Sequence, residues 1–467
     1  MSSFRYWANL RRGGLCGRAT HESLVMKRIA LSLAILLIGL SALWLAADTL
    51  YPADGNFFAL RNSQVNYTGI ITIGAMSVGM VLAVRPAALE SLFGGLDKMY
   101  RLHKWLGVTA LVGSLLHWLW SDAPKWMVGW GWLVKPARGP HVDQTMGLES
   151  VFHSQRGVAG SVGEWAFYTA VLLIVVALIK QFPYRHFFRL HRLLAVVYLL
   201  LVFHAVLLMK FSYWNEPVGA TMAVLMLAGS AAAFGSLLRQ VGFRHRAPGV
   251  IAALVPHPDN RVLRVTIRLK GRWAGHKAGQ FAFVTFDHSE GPHPFTISSG
   301  WNGDGTMDFL IKGLGDYTDS LPASLRVGDV VKVEGPYGRF NFTGSKTRQI
   351  WVAGGIGITP FMARMETLSV APDGKIVDLF YCTNVPDEGF IANVHRHAEA
   401  AAVRLHVLVA QKDGKLSGER ARAMVPDWLA ADIWFCGPTG FGHALRRNFA
   451  AQGMQNDDFH QELFDMR

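Results

Sequence analysis

The chain has 467 residues, 51% hydrophobic and only 17% charged, with a formal net charge of +13. That length has room for two or three domains, and the basic residues sit beside apolar runs rather than in one patch, which favours a membrane protein over a nucleic-acid binder. The three cysteines, Cys16, Cys382 and Cys436, form no CxxC, zinc spacing or disulfide framework and are too few for a four-cysteine [2Fe–2S] cluster.

Residues 1–27 are polar and basic without periodicity and read as a cytoplasmic tail. Met26-Lys27-Arg28 before an apolar run imitates a signal peptide. No A-x-A-like cleavage site follows, so the run reads as a span. Hydropathy places six spans in a domain covering 28–240, at roughly 29–47, 65–84, 103–121, 164–180, 192–209 and 217–238. The fourth is the weakest, because Glu164 and Lys180 bracket it. Arg85, Lys98 and Arg101 lie in one loop, Lys180, Arg185, Arg189 and Arg192 in another, and Arg239, Arg244 and Arg246 follow the last span. By the positive-inside rule these lie in the cytoplasm with both termini. A long outer loop is then expected at 122–163, rich in tryptophan (Trp126, Trp130, Trp132), as suits a membrane interface.

Two of the spans carry paired histidines. His103 and His117 are 117 − 103 = 14 residues apart, and His191 and His204 are 204 − 191 = 13 apart. At 1.5 Å per residue, each interval is roughly 20 Å, about two-thirds of a ~30 Å hydrocarbon core. Ionisable residues inside a membrane are rare and tend to be functional. Facing imidazoles at two depths are what two stacked haems with histidine axial ligands require. Both spans run outward, so the expected pairs are His103 with His191 at the inner level and His117 with His204 at the outer. One point resists. Fourteen residues return to within about 40° of the same helix face, whereas thirteen leave the rings about 140° apart. The second helix is therefore unwound or bulged, or presents its histidines from different sides.

After residue 245 the texture changes. Alternating runs such as VIAALV, RVLRVTIRL, QFAFVTF, MDFLIK and DVVKVEG, with glycine- and proline-containing turns, predict a small antiparallel barrel over about 246–344. From 346 onward strands alternate with helices, which predicts a parallel α/β sheet. There, Gly354, Gly355 and Gly357 join the strand QIWVA to a helix beginning near Thr359. Such a turn can bring backbone amides and a helix N-terminus to a pyrophosphate, or be an ordinary tight turn. His293-Pro294-Phe295-Thr296-Ile297-Ser298-Ser299 sets an aromatic, hydroxyls and a possible cation together, suited to a flavin or to a plain amphipathic strand.

In combination, HPFTISS, KGLGDYTDSL (312–321), GPYGRF (335–340), VAGGIGITPF (352–361), FCGP (435–438) and HQELF (460–464) resemble the ferredoxin–NADP reductase module. With the six spans and two two-histidine helices, about residues 29–467 resemble the NADPH oxidase/ferric reductase superfamily, whose haem helices show the same 14 and 13 intervals. The resemblance implies a multidomain membrane protein: a six-helix haem bundle, an antiparallel FAD barrel and an NAD(P)-binding α/β domain. Phe295 and Thr296 would line the flavin, with Pro294, Ser298 and Ser299 in the same motif. His293 would stand where related reductases use an arginine toward the FAD phosphates, and Gly315 and Thr318 would hold the pyrophosphate. Gly354, Gly355, Gly357 and Thr359 would cradle NAD(P)H, with Cys436, Gly437 and Pro438 by the nicotinamide. Phe464 would cover the flavin, with Glu462 its polar neighbour.

The implied activity is electron transfer from cytosolic NADPH or NADH through FAD and two b-type haems to an acceptor across a membrane, expected to be a bacterial inner membrane. Oxygen, giving superoxide, and a ferric chelate both fit as acceptors. Arg61, with His141 or His153 in the outer loop, could polarise an anionic product or hold an iron complex, or be ordinary interfacial residues. Two other readings stand beside this one. One is a cytochrome b subunit feeding a separate partner protein; the other is a haem-free metal carrier using the four histidines. No EF-hand loop is present, which argues against calcium control within the chain. Tyr381-Cys382-Thr383-Asn384 after the second α/β strand offers hydroxyl and amide groups without an adjoining base to mark a 2′-phosphate.

Overall fold

The computed structural model describes residues 22–52, 56–93, 95–134, 148–179, 182, 184–287 and 289–461. The chain divides into two compact units, Val25–Val241 and Gly242–Met466.

The first unit is all helix: α1 (Glu22–Ala47), α2 (Phe57–Ala83), α3 (Ala87–Phe93), α4 (Leu96–Gly129), α5 (Leu148–Leu178), α6 (Tyr184–Leu208) and α7 (Pro217–Leu237). Among the described residues five helices, α1, α2, α5, α6 and α7, are long and apolar enough to cross a membrane. The remaining long helix, α4, has 34 residues. At 1.5 Å per residue that is about 51 Å, but His103, Lys104 and His117 dilute its apolar run. Outward faces carry Ile38, Trp165, Leu172 and Leu227 at 68%, 74%, 63% and 71% exposure, a cost in water and none in lipid. Inside, small residues let helices approach: a methyl on Gly229 would come within 2.2 Å of the Tyr198 hydroxyl, and one on Gly113 within 2.4 Å of Thr72 Oγ1.

Three boundaries differ from expectation. Asn56 caps α2 by accepting from the Phe58 amide, so this helix starts eight residues before the expected span at 65–84 and carries Arg61. The segment expected as an outer loop at 122–163 is largely helical. Its first part continues α4 to Gly129 and its last part, from Leu148, is α5. The polar, glycine-bearing stretch before Glu164 hides this start from a hydropathy reading; most of it is exposed, with Ala159 and Gly163 buried. His153 is exposed on α5; His141 lies outside the described residues, as do Phe464, Glu462 and most of the 1–27 tail. At one end of the unit, Asp48 accepts hydrogen bonds from Tyr213 and Lys210, and Trp44 Nε1 donates to the Tyr213 hydroxyl at 3.1 Å. This clasp ties the end of α1 to the segment between α6 and α7.

The second unit contains two sheets. The antiparallel one comprises β1 (Arg246–His257), β2 (Val262–Leu269), β3 (Phe281–Thr285), β4 (His293–Thr296), β5 (Thr306–Lys312) and β6 (Val330–Tyr337), in the order β4-β3-β6-β1-β2-β5. An antiparallel bridge from Ile297 to Phe309 links the chain after β4 to β5. Helix α8 (Asp316–Ser324) follows β5. The parallel sheet comprises β7 (Arg348–Gly354), β8 (Ile376–Thr383), β9 (Arg404–Val409), β10 (Ala431–Cys436) and β11 (Phe459–Gln461), in the order β11-β10-β7-β8-β9. Helices α9 (Thr359–Val370), α10 (Glu388–Ala400) and α11 (Thr439–Ala451) connect its strands, as parallel pairing demands. Trp351, Trp434, Phe361 and Phe342 fill one core layer, and Phe435, Phe449, Phe380 and Phe459 the other.

Candidate functional site

In the membrane unit the four histidines meet as two pairs. The rings of His103 and His191 lie 5.9 Å apart between centroids, and those of His117 and His204 lie 6.1 Å apart. Two imidazoles bound on opposite sides of one metal, each nitrogen about 2 Å from it, have centroids about 6.4 Å apart. Both pairs match that spacing. Among the described residues no group of three or more histidine, cysteine or acidic side chains could hold a metal ion. Each site brings two imidazoles together, the donor set that a bis-histidine haem uses. Helices α2 and α5 pack along α4 and α6, respectively, whereas α4 and α6 do not pack along one another.

The rings are also oriented. His103 Nδ1 donates to the Gly79 carbonyl at 2.9 Å, His117 Nδ1 to the Val65 carbonyl at 3.0 Å, and His204 Nδ1 to the Ala159 carbonyl at 2.8 Å. A carbonyl can only accept, so the proton sits on Nδ1 and the Nε2 lone pair is left for a metal. This backbone anchoring is the support that metal-ligating histidines ordinarily have. Glycine makes the room: a methyl on Gly163 would fall 2.0 Å from His204 Nδ1, and one on Gly69 3.3 Å from His117 Cε1. These residues fit two bis-histidine haems. Of the alternatives for the thirteen-residue interval, the structure takes the second. Helix α6 is unbroken α-helix throughout, and its two histidines leave from different sides.

In the reductase unit, β4 pairs with β3, setting Phe281 opposite Thr296 and Val284 opposite His293. Strand alternation puts His293 and Phe295 on one face and Pro294 and Thr296 on the other. His293 stacks on Tyr317 at 4.2 Å. Burial pulls its pKa down to about 4. Ser298 and Ser299 are buried. The Ser299 hydroxyl accepts from the Asp308 amide at 3.0 Å and its carbonyl from His276 Nε2 at 3.0 Å, so Ser299 serves the fold. Gly315 is the N-cap of α8. The Thr318 hydroxyl accepts from the Leu314 amide at 2.9 Å and donates to the Gly315 carbonyl at 3.1 Å, closing that turn.

The glycines of the α/β domain divide into two kinds. A methyl on Gly357 would meet the Cys436 carbonyl at 2.1 Å, one on Gly354 the Pro438 ring at 2.7 Å, and one on Gly437 the Gly354 Cα at 2.9 Å. These three let the ends of β7 and β10 touch backbone to backbone. Gly355, with φ +58°, is the one that faces open space, with Lys312 Nζ nearest to a methyl there, at 3.9 Å. Thr359 begins α9, buried, its hydroxyl donating to the Ile356 carbonyl at 3.2 Å. Cys436, expected beside a nicotinamide, is only 1% exposed and belongs to the hydrophobic core.

A small recess, too small as it stands for a diphosphate, is lined by Asn260, Lys312, Gly355, Tyr381, Thr383 and Phe390 among others. Sequence reasoning missed Lys312 there. It stands at the head of the KGLGDYTDSL motif, and its ammonium beside a left-handed glycine can receive a diphosphate. Glu366 was missed too: its carboxylate accepts from the Gly300 amide at 2.8 Å, coupling the end of the flavin motif to α9.

Comparison with known proteins agrees with this division. Residues 68–202 match the model of the ferric reductase like transmembrane component, and residues 254–342 that of the oxidoreductase FAD-binding domain. A flavin-dependent reductase module thus shares one chain with a ferric reductase-like membrane domain. This pairing matches the NADPH oxidase/ferric reductase superfamily. Among curated proteins, the toluate 1,2-dioxygenase electron transfer component of Pseudomonas putida is 30% identical over 198 residues, covering 40% of this chain and 58% of its own. The glycine betaine monooxygenase reductase subunit of Chromohalobacter salexigens is 25% identical over 205 residues, covering 40% and 56%. The chain thus spans a little over half the length of these relatives. Among solved structures, flavohemoglobin from Malassezia yamatoensis aligns with a TM-score of 0.45 at 16% identity, covering 87% of this chain and 96% of that one.

Proposed function

We propose that the chain is a transmembrane oxidoreductase that carries electrons from NADPH or NADH to an acceptor across the membrane, with FAD and two b-type haems as its cofactors. The observation that carries this reading is the two imidazole pairs, at 5.9 and 6.1 Å, in one chain with a flavin-type reductase module. When bound, the flavin turns a hydride into single electrons and bis-histidine haem, having no open position, passes electrons singly. The protein's part is orientation. Gly79, Val65 and Ala159 fix three ring tautomers, Lys312 and Gly355 receive the nucleotide diphosphate, and β4 with Tyr317 lines the flavin.

Counting α4 as a span gives six crossings. The basic loops then put the termini and the nucleotide-binding unit on the cytoplasmic side of a bacterial inner membrane, with His117 and His204 at the far level. Oxygen and a ferric chelate are the two acceptors, and Arg61 supports an anionic one at that level. Its guanidinium donates to the Ser121 carbonyl at 3.0 Å, on the helix that bears His117.

The test is purified protein in proteoliposomes, supplied with NADPH or NADH, comparing oxygen with anaerobic ferric citrate. Cytochrome c reduction abolished by superoxide dismutase assigns oxygen as the acceptor. Insensitivity to the dismutase with rapid iron reduction assigns the ferric chelate. Absence of a Soret band sinks the haem reading altogether.

A further inference from the structure

Three of the ligand rings are anchored by backbone carbonyls, but one of them has a second partner. Thr68, on α2 and 8% exposed, places its Oγ1 3.3 Å from His117 Nδ1. The ordinary explanation of a buried helical threonine is a hydroxyl bonded back to its own helix. Thr68 does that as well, its hydroxyl donating within α2 to the Gln64 carbonyl at 2.7 Å, with the Val65 carbonyl at 3.2 Å a second acceptor. With its proton committed there, the oxygen can only accept from the ring. The His117 N–H is therefore shared between the Val65 carbonyl at 3.0 Å and a hydroxyl oxygen. A hydroxyl that donates is also a better acceptor, since the chain Gln64 carbonyl, Thr68, His117 polarises in one direction. Among the described residues, His103 and His204 are each given one carbonyl and no hydroxyl. Thr72 shows that this is not a general habit of the helix, for its hydroxyl donates to the Thr68 carbonyl at 2.7 Å and goes no further.

We propose that Thr68 is a positioning residue that lowers the reduction potential of the group held at the His117/His204 level, a proposal that rests on the two-haem reading above. An acceptor on Nδ1–H raises the basicity of the ligating nitrogen. A more basic axial ligand favours the oxidised metal and lowers its reduction potential. The group held at His117 is thereby made a better reductant than the Val65 carbonyl alone would make it. That is the property wanted at the level where electrons leave for a poor one-electron acceptor such as oxygen.

The experiment is a spectroelectrochemical titration of the full-length, haem-loaded protein, comparing wild type with Thr68→Val, which keeps the shape without the hydroxyl, and Thr68→Ser, which restores the hydroxyl. His117→Leu identifies which of the two midpoints belongs to this level. The expected result is two haems per flavin in wild type and both Thr68 variants. Thr68→Val moves only the His117-level midpoint upward, and Thr68→Ser titrates as wild type. Both haems present with neither midpoint moved in Thr68→Val overturns the proposal while leaving the two-haem reading intact, as does a Thr68→Ser midpoint displaced as far as that of Thr68→Val. If Thr68→Val loads no haem at this level, Thr68→Ala replaces it in the same comparison. Wild-type protein without haem overturns both readings, and is recognised because no variant is needed to see it.

Discussion

The two units solve the same problem, holding a redox group in a fixed place, by opposite means. In the reductase unit position comes from density: Trp351, Trp434 and Cys436 are almost wholly buried, and β7 and β10 are forced together at Gly354, Gly357 and Gly437. In the membrane unit much apolar surface faces outward, and position comes from a few directed hydrogen bonds between helices. Packing in the first is redundant, so one lost contact is shared among many. The ring anchors of the second are few: one carbonyl each for His103 and His204, and a carbonyl with a hydroxyl for His117. Where hydrophobic burial cannot discriminate one helix arrangement from another, polar contacts and small residues do so.

The largest effect that sharpens this contrast is expected from His117→Leu. It should lower the haem-to-flavin ratio from two to one while flavin content is kept, read by pyridine haemochrome and flavin absorbance. An unchanged ratio refutes the ligand assignment. Next comes Gly163→Ala, whose methyl must displace the His204 ring from the Ala159 carbonyl. We expect loss of most haem at that level, while Gly160→Ala, with open space around its Cβ position, leaves the spectrum unchanged. If the two variants behave alike, the single-anchor view of the His204 ring fails.

In the reductase unit Lys312→Gln should be milder, raising the KM for NAD(P)H about tenfold, the loss of one charge-assisted hydrogen bond, at little cost in kcat. A fall in kcat with unaltered KM would place Lys312 elsewhere in the cycle. The smallest effect concerns pH. Burial lowers the His293 pKa from 6.5 to about 4, so between those values the unfolded chain binds a proton that the folded one refuses. The stability this group contributes is complete above pH 6.5 and is lost as pH falls toward 4. Thermal unfolding of the full chain should therefore show a smaller drop between pH 7.5 and 5 in His293→Gln than in wild type. Parallel drops would show that His293 is not what responds.

The sequence made much of the site legible, and the reasons differ by region. Two histidine intervals and the positive-inside rule were enough to order four rings into two pairs, because helical rise is nearly invariant. The strands of both sheets followed from period-two runs and glycine turns. Hydropathy failed where helix and apolarity part company: α5 begins at Leu148 in a largely exposed stretch carrying His153, Gln155 and Arg156. The anchors were invisible because a carbonyl has no side-chain signature, so Val65, Gly79 and Ala159 read as ordinary apolar residues. The burial of Cys436 and Ser299 was not legible either, because it depends on what the neighbouring strand ends do.

The carbonyls on α2 carry a further consequence. Val65 and Gly79 are 79 − 65 = 14 residues apart, the same interval as His103 and His117, and the two helices meet His117-to-Val65 and His103-to-Gly79. Helix α2 holds none of the ligands, yet it works as a ruler graduated at the same two marks. Inserting one residue between Val65 and Gly79 would keep one mark in register and throw the other about 100° around the helix. Both rings can thus be set before any cofactor arrives, so that insertion meets a template already cut to its two depths.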